Sequence, residues 1–154
     1  MFKSFFKKKN KKSNPINSAL NEKVFSLTCL LVEAAMADED FGEDEKKIIV
    51  NILRKQFSSV TNEDLIKTVD DALVAFNESS DLISYTRKIK EEWSLENRVE
   101  VIEMLWKVCL VDGVLEPYED MIIRRVSGLI YVDDKNRKTA KSRAIKALND
   151  NLKG

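Results

Sequence analysis

Apolar residues recur every three or four positions along most of the chain, which is the spacing that places them on one face of a helix. Residues 18–37 show this most clearly, with Leu20, Val24, Leu27, Leu30, Leu31, Ala34 and Ala35. Asn17 is the predicted N-cap of this helix, because an Asn side chain can accept a hydrogen bond from an unpaired backbone amide. A second helix is predicted from Glu43 to about Phe57, so that residues 38–42 form an acidic turn between two helices.

Start signals along the rest of the chain predict five further helices. The third helix starts at a sequence close to a capping box, residues 61–64, and the fourth is a short segment with one apolar face around residues 82–93. Ser94 is the predicted cap of the fifth helix, which ends near Asp112 and Gly113, and Pro117 is the predicted first residue of the sixth. Asp133 or Asp134 is the predicted cap of a basic seventh helix from Lys135 to about Leu152. The helix that begins at Pro117 is expected to bury Met121, Ile122, Val126, Leu129 and Ile130. The predicted fold is therefore all-α, a single compact bundle of about seven helices.

Charge is distributed unevenly, although the net charge is zero. Residues 1–15 carry six Lys and no acid, and residues 135–154 carry seven basic groups against Asp150, which leaves 13 basic and 25 acidic groups between them. An acidic body repels phosphates, so a nucleic acid is an unfavourable partner. We expect residues 1–15 to form a disordered basic tail and residues 16–154 to form the helical domain.

The basic tail also contains Phe2, Phe5 and Phe6. Such a segment is able to contact an anionic membrane weakly, and a solvated tail is the alternative. The sequence has no signal peptide and no apolar run of spanning length, so we expect a cytoplasmic protein, peripheral at the inner membrane face if the tail contacts lipid. Cys29 and Cys109 lie in apolar runs and are predicted to be buried free thiols in a reducing compartment.

The acidic turn occurs twice. Residues 35–53 align with residues 109–127 at an offset of 74, which matches Asp38 with Asp112, Phe41 with Leu115, Glu45 with Glu119 and Ile49 with Ile123. Self-similarity at a fixed offset predicts an internal duplication of a helix, acidic turn, helix unit, packed about a pseudo-twofold axis.

Paired carboxylates at these turns are candidate ligands for a metal ion. An Asp at a helix C-terminus faces the negative end of the helix dipole, an unfavourable position that a bound cation would reverse. Hard divalent cations such as Ca²⁺, Mg²⁺ or Mn²⁺ prefer all-oxygen ligands, so Asp38, Glu45, Asp112 and Glu119 are the predicted metal residues. The alternative is that each Glu only accepts the N-cap amide of its own helix, which requires no metal.

The segments VEAAMADEDFGEDE and LWKVCLVDGVLEPYE, with the apolar and basic stretches after them, resemble the TerB-like family of tellurite resistance proteins and related domains. The resemblance covers roughly residues 24–150. It implies an all-helical domain with two related halves, a metal site at the four carboxylates above, and a link to stress response and to complexes near the membrane. The first turn reads Asp38-Glu39 where the family has Asp-Gly, so Asp40 is an additional candidate ligand.

Enzymatic activity is not expected from this sequence. It contains no His, no GxSxG, no P-loop and no Gly-rich dinucleotide turn. A non-enzymatic, metal-binding interaction module is the main prediction. A metal-independent protein-interaction or co-chaperone-like module, with an unknown protein partner and weak membrane association, is the first alternative, and a metal-dependent hydrolase is the second.

Overall fold

The computed structural model describes residues 15–36, 42–78, 82–111 and 117–153. Within these ranges it describes the side chains of residues 20 to 150. These ranges contain seven helices and no strand: α1 (Pro15–Ala35), α2 (Glu43–Gln56), α3 (Asn62–Glu78), α4 (Leu82–Glu92), α5 (Leu95–Cys109), α6 (Pro117–Leu129) and α7 (Asp134–Lys153). The predicted all-α, seven-helix architecture is therefore confirmed. Residues 1–14 of the predicted basic tail lie outside the described residues, and Pro15, the last residue of that predicted tail, is the first residue of α1.

Helix starts follow the local signals in the sequence. Ser94 Oγ accepts a hydrogen bond from the Asn97 amide at 3.2 Å, and Thr61 Oγ1 accepts one from the Asp64 amide at the same distance. Asp133, rather than Asp134, caps the last helix, because its Oδ1 accepts the Asn136 amide at 2.9 Å. Each cap pairs one of the amides that a helix N-terminus leaves without an intrahelical partner.

Two local predictions are wrong. Helix α1 begins at Pro15, so Asn17 lies inside its first turn and is not the N-cap. Proline suits the first position of a helix, since its fixed φ is helical and its missing amide would be unpaired there. Met121 is 64% exposed rather than buried. It lies two positions before the buried Ile123, which rotates it about 200° around the helix, away from the core.

Helix α1 forms the centre of the core. Its residues 24–32 are all buried, including the polar Ser26 and Thr28, which is typical of a helix surrounded on every side. Thr28 satisfies its hydroxyl within the helix, where Oγ1 donates to the Val24 carbonyl at 2.6 Å. Helix α5 is the second central element and packs against α1. The remaining helices cover this pair.

The helices fall into two sets with the same register. Helices α1 and α5 end 74 residues apart, at Ala35 and Cys109, and helices α2 and α6 begin 74 residues apart, at Glu43 and Pro117. Helix α3 packs on α1 as α7 packs on α5, and α2 contacts α5 as α6 contacts α1. Each set therefore contains three helices, one more than the sequence alignment includes. Helix α4 connects the two sets.

The described ends of α1 and α5 that precede the acidic turns lie at the same end of the domain. Gln56, the last residue of α2, donates a hydrogen bond to Glu100 near the start of α5 at 3.0 Å, so α2 runs antiparallel to α5. Helix α2 also packs against α1, from which it returns after a short connection. Helices α1 and α5 are therefore roughly parallel, so α2 and α6 begin at the same end of the domain.

Candidate metal site at the acidic turns

Glu45 is the third residue of α2, and its carboxylate closes the start of that helix. Oε2 of Glu45 accepts a hydrogen bond from the Gly42 amide at 2.8 Å. Gly42, the N-cap residue, has an extended backbone and no side chain to return the interaction. The contact is therefore half of a capping box, which is the alternative role that the sequence suggested for Glu45. It uses one of the two carboxylate oxygens.

Glu119 occupies the same position in the second set, as the third residue of α6. Its side chain is only 5% exposed, and it takes part in an interaction within the protein. The preceding Pro117 starts the helix as predicted. A buried carboxylate is costly unless it is paired or hydrogen-bonded, and the positive end of the helix dipole reduces that cost in the first turn.

The first turns of α2 and α6 concentrate negative charge. Glu43 and Asp44 join Glu45 in α2, and Asp120 joins Glu119 in α6. Asp120 is partly neutralised, because Arg124 Nε lies 2.9 Å from its Oδ2. Since both helices begin at the same end of the domain, their acidic first turns share that end as well.

The three predicted Asp ligands, Asp38, Asp40 and Asp112, lie outside the described residues. The structure thus places Glu45 and Glu119 and does not bear on their predicted Asp partners. Within the described ranges, no group of three or more acidic or Cys residues is close enough to hold a metal ion. A complete site would therefore require the turn residues.

Glu33 is an acidic residue near this end that the repeated sequence pattern does not include. It lies two residues before the end of α1, half-buried, and burial raises the pKa of its carboxyl group, while the nearby Arg125 of α6 lowers it. The only sequence signal is an acid inside the apolar run LLVEAA. Its partner could not be read from local spacing, since the two residues are far apart along the chain.

The described donors fit a hard divalent cation chemically. Glu45 and Glu119 offer carboxylate oxygens, which Ca²⁺, Mg²⁺ and Mn²⁺ prefer. The described residues contain no exposed thiol, and the chain has no His, so the nitrogen and sulfur ligands typical of zinc sites are missing here. Both Cys29 and Cys109 are buried free thiols, as predicted.

Among the helices of the described part, none is both long enough and apolar enough to cross a membrane.

Comparison with known proteins gives one significant match. No curated protein and no solved structure matches the chain significantly. The sequence profile of the family described as Tellurite resistance protein TerB matches residues 25–142, which include both acidic turns and most of the helical domain. The chain therefore belongs to the TerB family of tellurite resistance proteins.

Proposed function

We propose that this tellurite-resistance-related domain is a non-enzymatic module that binds a divalent cation through its two acidic turns and presents the loaded end to a protein partner. The observation that carries the proposal is the equivalence of Glu45 and Glu119. Both are third residues of helices that begin 74 positions apart, at the same end of the domain. Two carboxylates in equivalent positions, one of them buried, favour a shared ligand more than two unrelated caps.

In this proposal Asp38 and Asp112 complete the ligand set, with Asp40 as a further donor from the first turn. A cation at this end would offset the repulsion among the acidic first turns. The structural role of the ion is then to set the shape and charge of the surface that the partner meets.

Calorimetric titration with Ca²⁺, Mg²⁺ and Mn²⁺ tests the proposal, on the wild type and on an Asp38→Asn, Asp112→Asn double variant. We expect the wild type alone to release or absorb heat, and its melting temperature to rise with cation concentration, since a ligand that binds only the folded state stabilises it. A wild type with no heat and no change in melting temperature would exclude the metal.

A metal-independent interaction module is the second candidate, and the Gly42–Glu45 hydrogen bond favours it. In that case both Glu residues only cap their helices, and the acidic end receives a basic protein partner directly. Partner binding that is unchanged by chelators would support this candidate. A metal-dependent hydrolase would instead turn over phosphoesters with Mg²⁺ or Mn²⁺ and lose that activity in Asp112→Asn.

A further inference from the structure

Helices α2, α5 and α7 enclose an open groove with a volume of about 710 Å³. Its lining combines apolar and charged side chains, among them Ile52 of α2, Met104 and Glu103 of α5, and Leu148 of α7. Helices α2 and α7 both contact α5 but do not pack closely against each other. A groove of this kind, with a helix as its floor and helices as its walls, is suited to an amphipathic helix.

In the other set of helices, the surface that corresponds to this groove is covered by a helix. Helix α4 packs on α1 and α6. In the 74-residue register, α1 corresponds to α5 and α6 corresponds to α2. The groove on α5 and α2 is therefore the counterpart of the surface that α4 covers.

Specific side-chain contacts hold α4 against α1. Tyr85 meets Phe25 edge to face, with ring centroids 6.0 Å apart, and it also hydrogen-bonds Cys29. Lys88 Nζ lies 3.3 Å from Glu22 Oε2. Helix α4 reaches this surface of α1 and α6 because it directly precedes α5, with only two residues between them.

The segment that directly precedes α1, the counterpart of α5, is residues 1–14. Residues 2–12 are as long as α4, and they leave two residues before Pro15, as α4 leaves two before Leu95. In this register Phe2 aligns with Leu82, Ser4 with Ser84, Phe5 with Tyr85, Phe6 with Thr86, Lys7 with Arg87 and Lys8 with Lys88, whereas Lys9 aligns with the buried Ile89. We propose that residues 2–12 dock as a helix in the groove formed by α2, α5 and α7 of the same chain.

The groove contains two carboxylates that the surface under α4 lacks. That surface contains Ser26 and Cys29, and the 74-residue register replaces them with Glu100 and Glu103. The segment carries six Lys and no acid, so its charge is opposite to that of these two carboxylates, while Glu103 also pairs with Lys107 at 3.1 Å and the basic Lys55 and Arg143 line the same groove. Lys8 and Glu96 correspond to the ion pair between Lys88 and Glu22. A docked segment buries its Phe side chains and so withholds them from a membrane.

Disulfide trapping in the full chain tests the docking directly. Phe5→Cys combined with Glu103→Cys reproduces the Tyr85 and Cys29 contact, whereas the native thiols are buried and stay reduced. We expect an intramolecular disulfide. The matched control combines Phe5→Cys with Glu63→Cys, on the exposed start of α3, and should give none. A disulfide-linked dimer would assign the groove to a second copy, and no disulfide would leave it without this segment, so either result overturns the proposal.

Hydrogen exchange of the residue 6–12 amides gives a second measurement, in variants that do not disturb the core. These amides should exchange at least about tenfold more slowly in the wild type than in a Phe2→Ser, Phe5→Ser, Phe6→Ser variant. Lys8→Glu and Glu96→Lys should each lower protection about 1.5- to 5-fold, and the combination should restore it. Lys3→Glu is the control, because its counterpart Ile83 is 50% exposed. Equal exchange in wild type and the Ser variant would refute docking.

Discussion

Oε2 of Glu45 accepts a hydrogen bond from the Gly42 amide at 2.8 Å. This contact bears on two roles proposed for Glu45, as a helix cap or as a metal ligand. As a cap, the side chain needs only an oxygen acceptor. As a metal ligand, it needs negative charge as well. Glutamine retains an acceptor oxygen without the charge, and alanine retains neither, so the two substitutions distinguish the roles.

Glu45→Ala should destabilise the domain by about 0.5–1 kcal/mol through loss of the cap, and Glu45→Gln should cost less. If the turn binds a cation, both variants should lose the cation-dependent rise in melting temperature. Urea unfolding and thermal melts, with and without Ca²⁺, Mg²⁺ or Mn²⁺, measure the two effects separately.

Asp44→Asn is the matched control, since it removes one charge from the same first turn at an exposed position. It should leave the cation response of the melting temperature largely intact. A Glu45→Gln variant that responds to cations as the wild type does would show that Glu45 is a cap and not a ligand.

Local chemistry explains why much of the fold was predictable. The caps at Ser94 and Asp133 depend on residues within one turn of each other, so the sequence contains their whole cause. The pairing of acidic turns was also visible, because a fixed offset is a property of the sequence. Met121 was assigned wrongly, since α6 carries apolar residues on more than one side and the pattern alone does not show which side meets the core.

Features that depend on tertiary contacts were not predictable. Arg125 of α6 lies near Glu33 of α1 because the two helices pack against each other, and no spacing rule connects the two residues. The groove over Met104 arises because α2 and α7 stand apart on α5. In contrast, the equivalence of the two Glu residues followed from the sequence, and only their different surroundings required the structure.

Arg98 connects the start of α5 to the end of α6. Its Nη1 donates to the carbonyls of Ile130 at 2.8 Å and Tyr131 at 3.2 Å, and its Nε donates to the Trp93 carbonyl at 3.2 Å. Arg98→Met should therefore lower the free energy of unfolding by about 1.5–3 kcal/mol, because charge-assisted bonds to helix-end carbonyls are lost. Urea unfolding measures this. Arg87→Met, at an exposed position of α4, should change stability little, and an equal loss in both variants would contradict the role of Arg98.

Tyr131 adopts a left-handed backbone with φ of 57°, just after the end of α6. The Val132 amide donates to the Ser127 carbonyl at 2.8 Å, which is the pattern of a helix ending that usually has Gly in this position. Tyr131→Gly should therefore be more stable than Tyr131→Ala by about 1 kcal/mol, since both lose the Lys90 contact with the ring and only Gly relieves the strain. Equal melting temperatures for the two variants would argue against strain at this position.

Cys29 should be unreactive in the folded protein. Burial raises the pKa of its thiol to about 12, and Cys109 is buried as well. At pH 8 Ellman's reagent should label neither thiol in the native state and both after denaturation, because the reactive species is an exposed thiolate. Ser142→Cys, on the exposed face of α7, provides one readily labelled thiol for comparison. Rapid native labelling of Cys29 would contradict its burial.

Asp71 should make stability depend on pH in the opposite sense to most carboxylates. Its Oδ2 is buried with no hydrogen-bond partner among the described residues, and burial raises the pKa of the carboxyl group, an effect that Lys67 partly offsets. The folded state thus binds the proton more tightly than the unfolded state does. The resulting stabilisation is complete below the unfolded pKa of about 3.9 and is lost as pH rises through the higher folded pKa.

Asp71→Asn should consequently raise the melting temperature at pH 7, and this advantage over the wild type should shrink as the pH is lowered and vanish near pH 4. An amide of the same shape avoids the charge that burial disfavours at neutral pH, whereas the wild-type carboxyl group is itself neutral in acid. Melts of both proteins from pH 3.5 to 8 measure the difference, with Glu63→Gln on the exposed start of α3 as the control. A difference that stays constant across this range would show that shape or packing at Asp71, and not its ionisation, determines its effect.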